Sequence, residues 1–180
     1  MFSTDEKARA ACEAMAQHEG VAWVGMVICD GRAESPGEVA GYAAVRRIGK
    51  IPRRGPGWWC AYIGLLPEYE ASLRELDAHG DIHGGITFST LSGMEEAAQS
   101  PRPAWVPLEL ESLCWIGWDY AHAGDFTGIV EDDDGKVWSL EEVVETELAG
   151  AVSQIRLGGR CLARKLVGRV VSPGEWVYGR

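Results

Sequence analysis

A chain of 180 residues with 46% hydrophobic content is long enough to bury one sizeable core, and its length favours one domain over two. Seventeen Lys+Arg against 27 Asp+Glu give a net charge of −10, which opposes any large polyanion needing a broad positive surface and excludes duplex nucleic acid as a main partner. Cys12, Cys29, Cys60, Cys114 and Cys161 form no CxxC pair and are odd in number, as expected of reduced, mostly buried thiols.

The opening MFSTDEKARAACEAMAQHEG has early acidic residues and no apolar core of signal-peptide length. No later run reaches the roughly 20 apolar residues that span a bilayer, so a cytoplasmic protein without membrane contact is expected. Thr4 to Gln17 carries Ala, Met and Cys at helical spacing behind a Ser3/Thr4 cap, and Gly20 supplies a stop. VAWVGMVICD (21–30) and VAGYAAVRRI (39–48) are β-branched and aromatic and read as neighbouring strands around the turn segment DGRAESPGE. A third strand follows at Trp58 to Gly64, and Pro67 sits where the first turn of a short helix, PEYEASLRELDAHG, tolerates it. GGITFST and ESLCWIGWDYA read as further strands, the second apolar enough to be covered on both faces, with SGMEEAAQSPRPAWVP as a surface excursion between them.

The four carboxylates at Glu131 to Asp134 lack the alternating ligands and closing glutamate of a calcium loop and read as an exposed acidic turn. Ser139 and Glu142 form a capping box opening a helix through about Leu157, and LVGRVVSPGEWVYGR ends the chain as a strand or hairpin. The sum is a single α+β domain, with a central, mostly antiparallel mixed sheet of about five to seven strands and about three helices. Its motif-bearing core runs from about 58 to 157, with 1–54 and 158–180 as elaborations.

Two short segments carry the chemistry: DIHGGITFS (81–89) and WIGWDYAHAGDF (115–126). Paired glycines after His83 allow close approach of a ligand or of another backbone segment. In a strand, His83, Gly85, Thr87 and Ser89 would project to one face as a polar row. Asp119 ends an apolar strand, where a buried carboxylate needs a partner, and His122 and Asp125 follow in an Ala/Gly-rich turn. His83, His122, Asp119 and Asp125 are therefore the candidate catalytic residues, as general acids or bases or as metal ligands. The competing structural reading has Asp119 capping the turn and both histidines satisfied within the fold. No His-x-His, HExxH or Cys-rich pattern is present, so a metal would have to be assembled from distant strands, and metal and cofactor stay open. Ser89 and Cys60 lack a GxSxG elbow, and no phosphate-loop pattern occurs.

Arg46, Arg47, Lys50, Arg53 and Arg54 fall within nine positions, as a positive wall for a small anionic ligand or as a solvated loop. Trp58, Trp59, Trp115 and Trp118 lie beside the motif strands, and an aromatic face near the basic loop suits base stacking; Trp58, Trp59 and Tyr62 are ligand-binding candidates together with Thr87, Ser89, Arg46, Arg47, Arg53 and Arg54.

The order WWCAYIGLLPEY, DIHGGITFS, WIGWDYAHAGDF and LEEVVETELAGAVSQI resembles a family of small phage and prophage proteins that carry CGYVG, HGGLTFS and GFDCAHAGD segments. Matching positions are Cys60, Tyr62 and Gly64, then His83 to Ser89, then Gly117, Asp119 and Ala121 to Asp125. The similarity covers roughly Trp58 to Ile155 and departs at Ala61 and Tyr120, leaving the polar positions intact. The resemblance implies a viral origin and a shared polar site more than a reaction. It suggests an accessory protein that counters bacterial defence by binding and sequestering a small nucleotide-derived immune signal, in a pocket closed between copies of a homo-oligomer. The alternatives are a phosphodiesterase or related hydrolase acting on such a signal, and an acidic protein–protein interaction module.

Overall fold

The computed structural model of the chain describes residues 5–18, 21–29, 39–48, 57–93, 98–99, 103, 105–127, 134–157, 160–161, 163–166, 169–172 and 175–177. Lys50, Arg53, Arg54 and the acidic residues 131–133 lie outside them.

Helix α1 (Asp5–Ala16) leads into strands β1 (Val21–Cys29), β2 (Val39–Ile48) and β3 (Trp58–Leu65). A 3-10 turn at Pro67–Tyr69 opens α2 (Glu70–His79), followed by the short β4 (Phe88–Ser89) and β5 (Ala98–Gln99), a second 3-10 turn at Leu108–Leu110, and β6 (Cys114–Asp119). A π-helical stretch, Glu142–Leu148, continues into α3 (Ala149–Gln154), and the short strands β7 (Arg156–Leu157), β8 (Arg160–Cys161), β9 (Ala163–Leu166), β10 (Arg169–Ser172) and β11 (Glu175–Val177) follow. The fold is α+β, built on an antiparallel sheet, as the sequence led us to expect.

The body of that sheet is β6-β3-β2-β1, antiparallel throughout; β4 and then β5 lie beyond β6, and β9 lies beyond β1. Its near-continuous apolar runs have a physical reason, since both faces are covered. On one face Val45, Ala61, Ile63, Ile116, Trp118 and Tyr120 pack with Leu73 and Leu76 of α2 and with Val143, Leu148 and Val152 of the C-terminal helix. On the other, Tyr42, Ala44, Cys60, Tyr62 and Trp115 pack with Cys12 and Met15 of α1 and with Trp105, Leu110 and Leu113. Each fully buried leucine or isoleucine in these clusters contributes roughly 1.5–3 kcal/mol.

The capping box forms as expected: Glu142 N–H donates to Ser139 Oγ at 3.1 Å, and Ser139 N–H donates to Glu142 Oε2 at 2.9 Å. Two expectations are corrected. The helix ends at Gln154 and not near Leu157, because Ile155 turns extended to bury its side chain in the core. The strand foreseen over GGITFST shrinks to Phe88–Ser89, because Gly84 and Gly85 hold positive φ (67° and 81°), so His83, Gly85, Thr87 and Ser89 form no one-faced row.

Among the described residues, no helix is long and apolar enough to cross a membrane.

Candidate functional site

The site grows from the end of β6, which pairs with β3 so that Asp119 lies opposite Cys60. Asp119 Oδ1 accepts the Ala121 N–H at 3.0 Å, turning the chain out of the sheet, as the structural reading of this residue required. A second turn follows, in which Asp125 N–H donates to His122 O at 2.9 Å and Gly124 adopts φ 95°. Backbone pairing with Lys136 then clamps the segment: Phe126 N–H donates to Lys136 O at 2.8 Å, and Lys136 N–H donates to Gly124 O at 2.6 Å.

Asp125, 7% exposed, is the centre of the cluster. Its Oδ1 accepts Trp138 Nε1–H at 2.7 Å, while Oδ2 accepts the His122 N–H at 3.0 Å and lies 2.8 Å from His83 Nε2. Burial acts to raise this carboxyl, but hydrogen bonds from His83, Trp138 and the His122 N–H, with the charge of His83, outweigh it and hold Asp125 below the ordinary value of 3.8. Asp125 is thus a carboxylate, and the hydrogen of its bond to His83 sits on Nε2.

His122 Nδ1 approaches the same Oδ2 at 3.6 Å and Asp119 Oδ1 at 4.0 Å. It is buried and has no hydrogen-bond partner among the described residues. His83, His122 and Asp125 each offer a donor atom, all within 4.8 Å of one another. The two histidines therefore meet across sequence-distant turns around the Asp125 carboxylate, which brings three of the four candidate catalytic residues into one cluster.

Aromatic rings wall the cluster. The His83 ring stacks on Tyr120 at 5.0 Å and 8°, and meets Trp138 edge-on at 4.9 Å. Tyr120 and Trp138 also line a shallow cleft with Arg47, Trp58, Trp59 and Phe126. There the Arg47 guanidinium lies 4.5 Å over the Trp59 ring, and Trp59 Nε1–H donates to Trp138 O at 2.7 Å. Lys136 Nζ sits 3.3 Å over the Trp138 ring and 3.4 Å from Glu142 Oε1.

Of the proposed ligand-binding residues, Arg47, Trp58 and Trp59 come together at this cleft. Arg46 alternates with Arg47 along β2 and faces the other side of the sheet. Tyr62 also lies on that side, edge-on to Phe88 and Trp105. Thr87 ties its N–H to Gly117 O at 2.9 Å, and the fully buried Ser89 accepts the Leu91 N–H at 2.9 Å. Tyr120, Lys136 and Trp138 were not foreseen as site residues. The only signal for Trp138 was an isolated tryptophan just after an acidic turn, in DDDGKVW.

Fold and site together define an α+β protein with a His–Asp–His cluster set against an arginine-bearing aromatic cleft. The chain matches no protein family, no curated protein and no solved structure.

Proposed function

We propose that this is a phage-type accessory protein that works in the cytoplasm of an infected host, binding and sequestering a small anionic nucleotide-derived immune signal. The observation that carries this reading is the Arg47 guanidinium lying over the Trp59 ring, in a cleft also lined by Tyr120 and Trp138, which pack on His83. A nucleobase has the flat face that such rings stack against, and a phosphate matches the guanidinium fork. The resemblance to phage proteins supports the biological setting. The cleft is shallow in one chain, which is why this reading includes closure by a second copy. It also takes the short strands β4, β5 and β9 as true extensions of the platform, a sheet of about five to seven strands.

A second reading, hydrolysis of the same ligand class, is favoured by the 2.8 Å His83–Asp125 pair. In that reaction water adds to phosphorus and loses a proton to an imidazole, while the P–O ester bond breaks and its oxygen leaves protonated.

The test is to incubate the protein with cyclic di- and trinucleotides and ADP-ribose-type molecules, remove unbound material, heat the protein, and identify what is released by liquid chromatography with mass spectrometry. Release of an intact ligand that is lost in Arg47→Ala supports sequestration. A cleaved product that disappears with His83→Ala supports hydrolysis. Neither capture nor consumption overturns both readings and leaves the acidic protein-interaction module.

A further inference from the structure

We propose that His83, His122 and Asp125 bind one divalent first-row transition ion, zinc fitting best, with at least one coordination position left open. The donors are His83 Nε2, whose hydrogen is displaced from that nitrogen when the ion binds, His122 Nδ1 and Asp125 Oδ2; the imidazole nitrogens stand 2.8 and 3.6 Å from the carboxylate oxygen, and the three residues bring one ligand atom each within 4.8 Å of the others. Around a tetrahedral zinc with bonds of about 2.0–2.1 Å, neighbouring ligands sit about 3.3 Å apart. The two separations bracket that value.

Three further features suit a metal. His122 Nδ1 is buried without a hydrogen-bond partner among the described residues, and a cation between it and Oδ2 removes the cost of leaving that nitrogen unpaired. The other carboxylate oxygen is already held by Trp138 Nε1–H at 2.7 Å, an outer-shell contact that orients Oδ2 towards the imidazoles. The His83 ring is fixed by its stack on Tyr120. Two imidazoles and one carboxylate select zinc, cobalt or iron over calcium and magnesium, which take oxygen-rich shells. Asp119 stays outside the shell, its Oδ1 being committed to the Ala121 N–H. Three protein ligands leave room for water or a phosphate oxygen, as catalytic zinc sites do and closed structural sites do not.

The inference does not depend on the nucleotide reading, because metal binding is measured with no organic ligand present. The full chain is stripped with chelator and titrated with Zn2+ by calorimetry, and with Co2+ by visible absorption. Expected are one equivalent of metal, a four- or five-coordinate cobalt spectrum without thiolate charge transfer, and a melting temperature raised by roughly 5 °C at a hundredfold excess over the dissociation constant. His83→Ala and Asp125→Asn should each weaken binding roughly 100-fold or more, while Cys60→Ser leaves it unchanged. No saturable binding, or equal binding by both site variants, overturns the proposal. If the variants do not fold, zinc-edge absorption fine structure on the unaltered protein decides. Nitrogen and oxygen neighbours at about 2.0–2.1 Å with imidazole scattering support the site, and sulfur at about 2.3 Å overturns it.

Discussion

The imidazole of His122 lies against the α-carbon of Gly84, so closely that a β-carbon on Gly84 would come within 2.0 Å of His122 Cε1. The two motif turns are thus interlocked, and the glycine pair after His83 serves two different needs. Gly84 must have no side chain and also holds φ 67°, whereas Gly85, at φ 81°, has open space around its α-carbon. Gly84→Ala should cost about 2–4 kcal/mol, combining backbone strain with displacement of the ring, and Gly85→Ala about 1 kcal/mol from strain alone. Urea denaturation of the two variants checks the difference. Equal losses would mean that His122 does not rest on Gly84.

Asp125 gives the cluster a definite acid limit. Its carboxyl is held below the ordinary value of 3.8, so its contribution is fully present above about pH 4 and is lost as pH falls through the folded-state value. Asp125→Asn should cost about 1.5–3 kcal/mol at neutral pH, from weakened bonds to His83 and Trp138. It should also flatten the decline of stability below pH 4, leaving the part due to Glu142, which is lowered by its capping bonds to Ser139. Urea midpoints from pH 2 to 7 for both proteins report this, and parallel curves would refute it.

Trp138 links the cleft to the cluster, donating to Asp125 Oδ1 and accepting from Trp59 through its carbonyl. Trp138→Phe keeps an aromatic ring and the carbonyl but removes the donor. It should destabilise by about 1–3 kcal/mol, and the loss should shrink in an Asp125→Asn background. A double-mutant cycle measures the coupling; additive losses would show that the 2.7 Å contact contributes nothing specific.

How much of this was legible in the sequence depended on whether a signal was local. The strands over 21–29, 39–48 and 58–65, and the capping box of Ser139 and Glu142, were readable because periodicity and cap chemistry act within a few residues. Asp119 as a turn acceptor was readable for the same reason. The polar row from His83 to Ser89 was not realised, because two consecutive positive-φ glycines break the extended geometry that alternation assumes. That His83 and His122 share one carboxylate was foreseeable only as a pairing of motifs, since it depends on how the turns stand at the end of β6. Trp138 was invisible because its hydrogen bond reaches 13 residues back to Asp125 and its ring contacts reach further, to His83.

The thiols supply a check on the core face that α1 covers and on the exclusion of cysteine chemistry. Burial pushes the Cys12 thiol up to about 12, with Glu13 adding to it, and burial with Asp119 nearby does the same for Cys60. At pH 8 each is about one part in 10,000 thiolate, too little for a nucleophile. Iodoacetamide on the native protein should therefore spare Cys12 and Cys60 and reach the half-buried Cys114 before either, with full labelling only after denaturation. Because these folded-state values stand above the ordinary 9.0, stability should hold below pH 9 and fall between pH 9 and about 12, as the unfolded chain ionises first. Peptide mapping of the label decides the first expectation and alkaline unfolding the second. Prompt native labelling of Cys60 would mean that β3 opens next to Asp119, and the rigid strand end on which the cluster is built would then be lost.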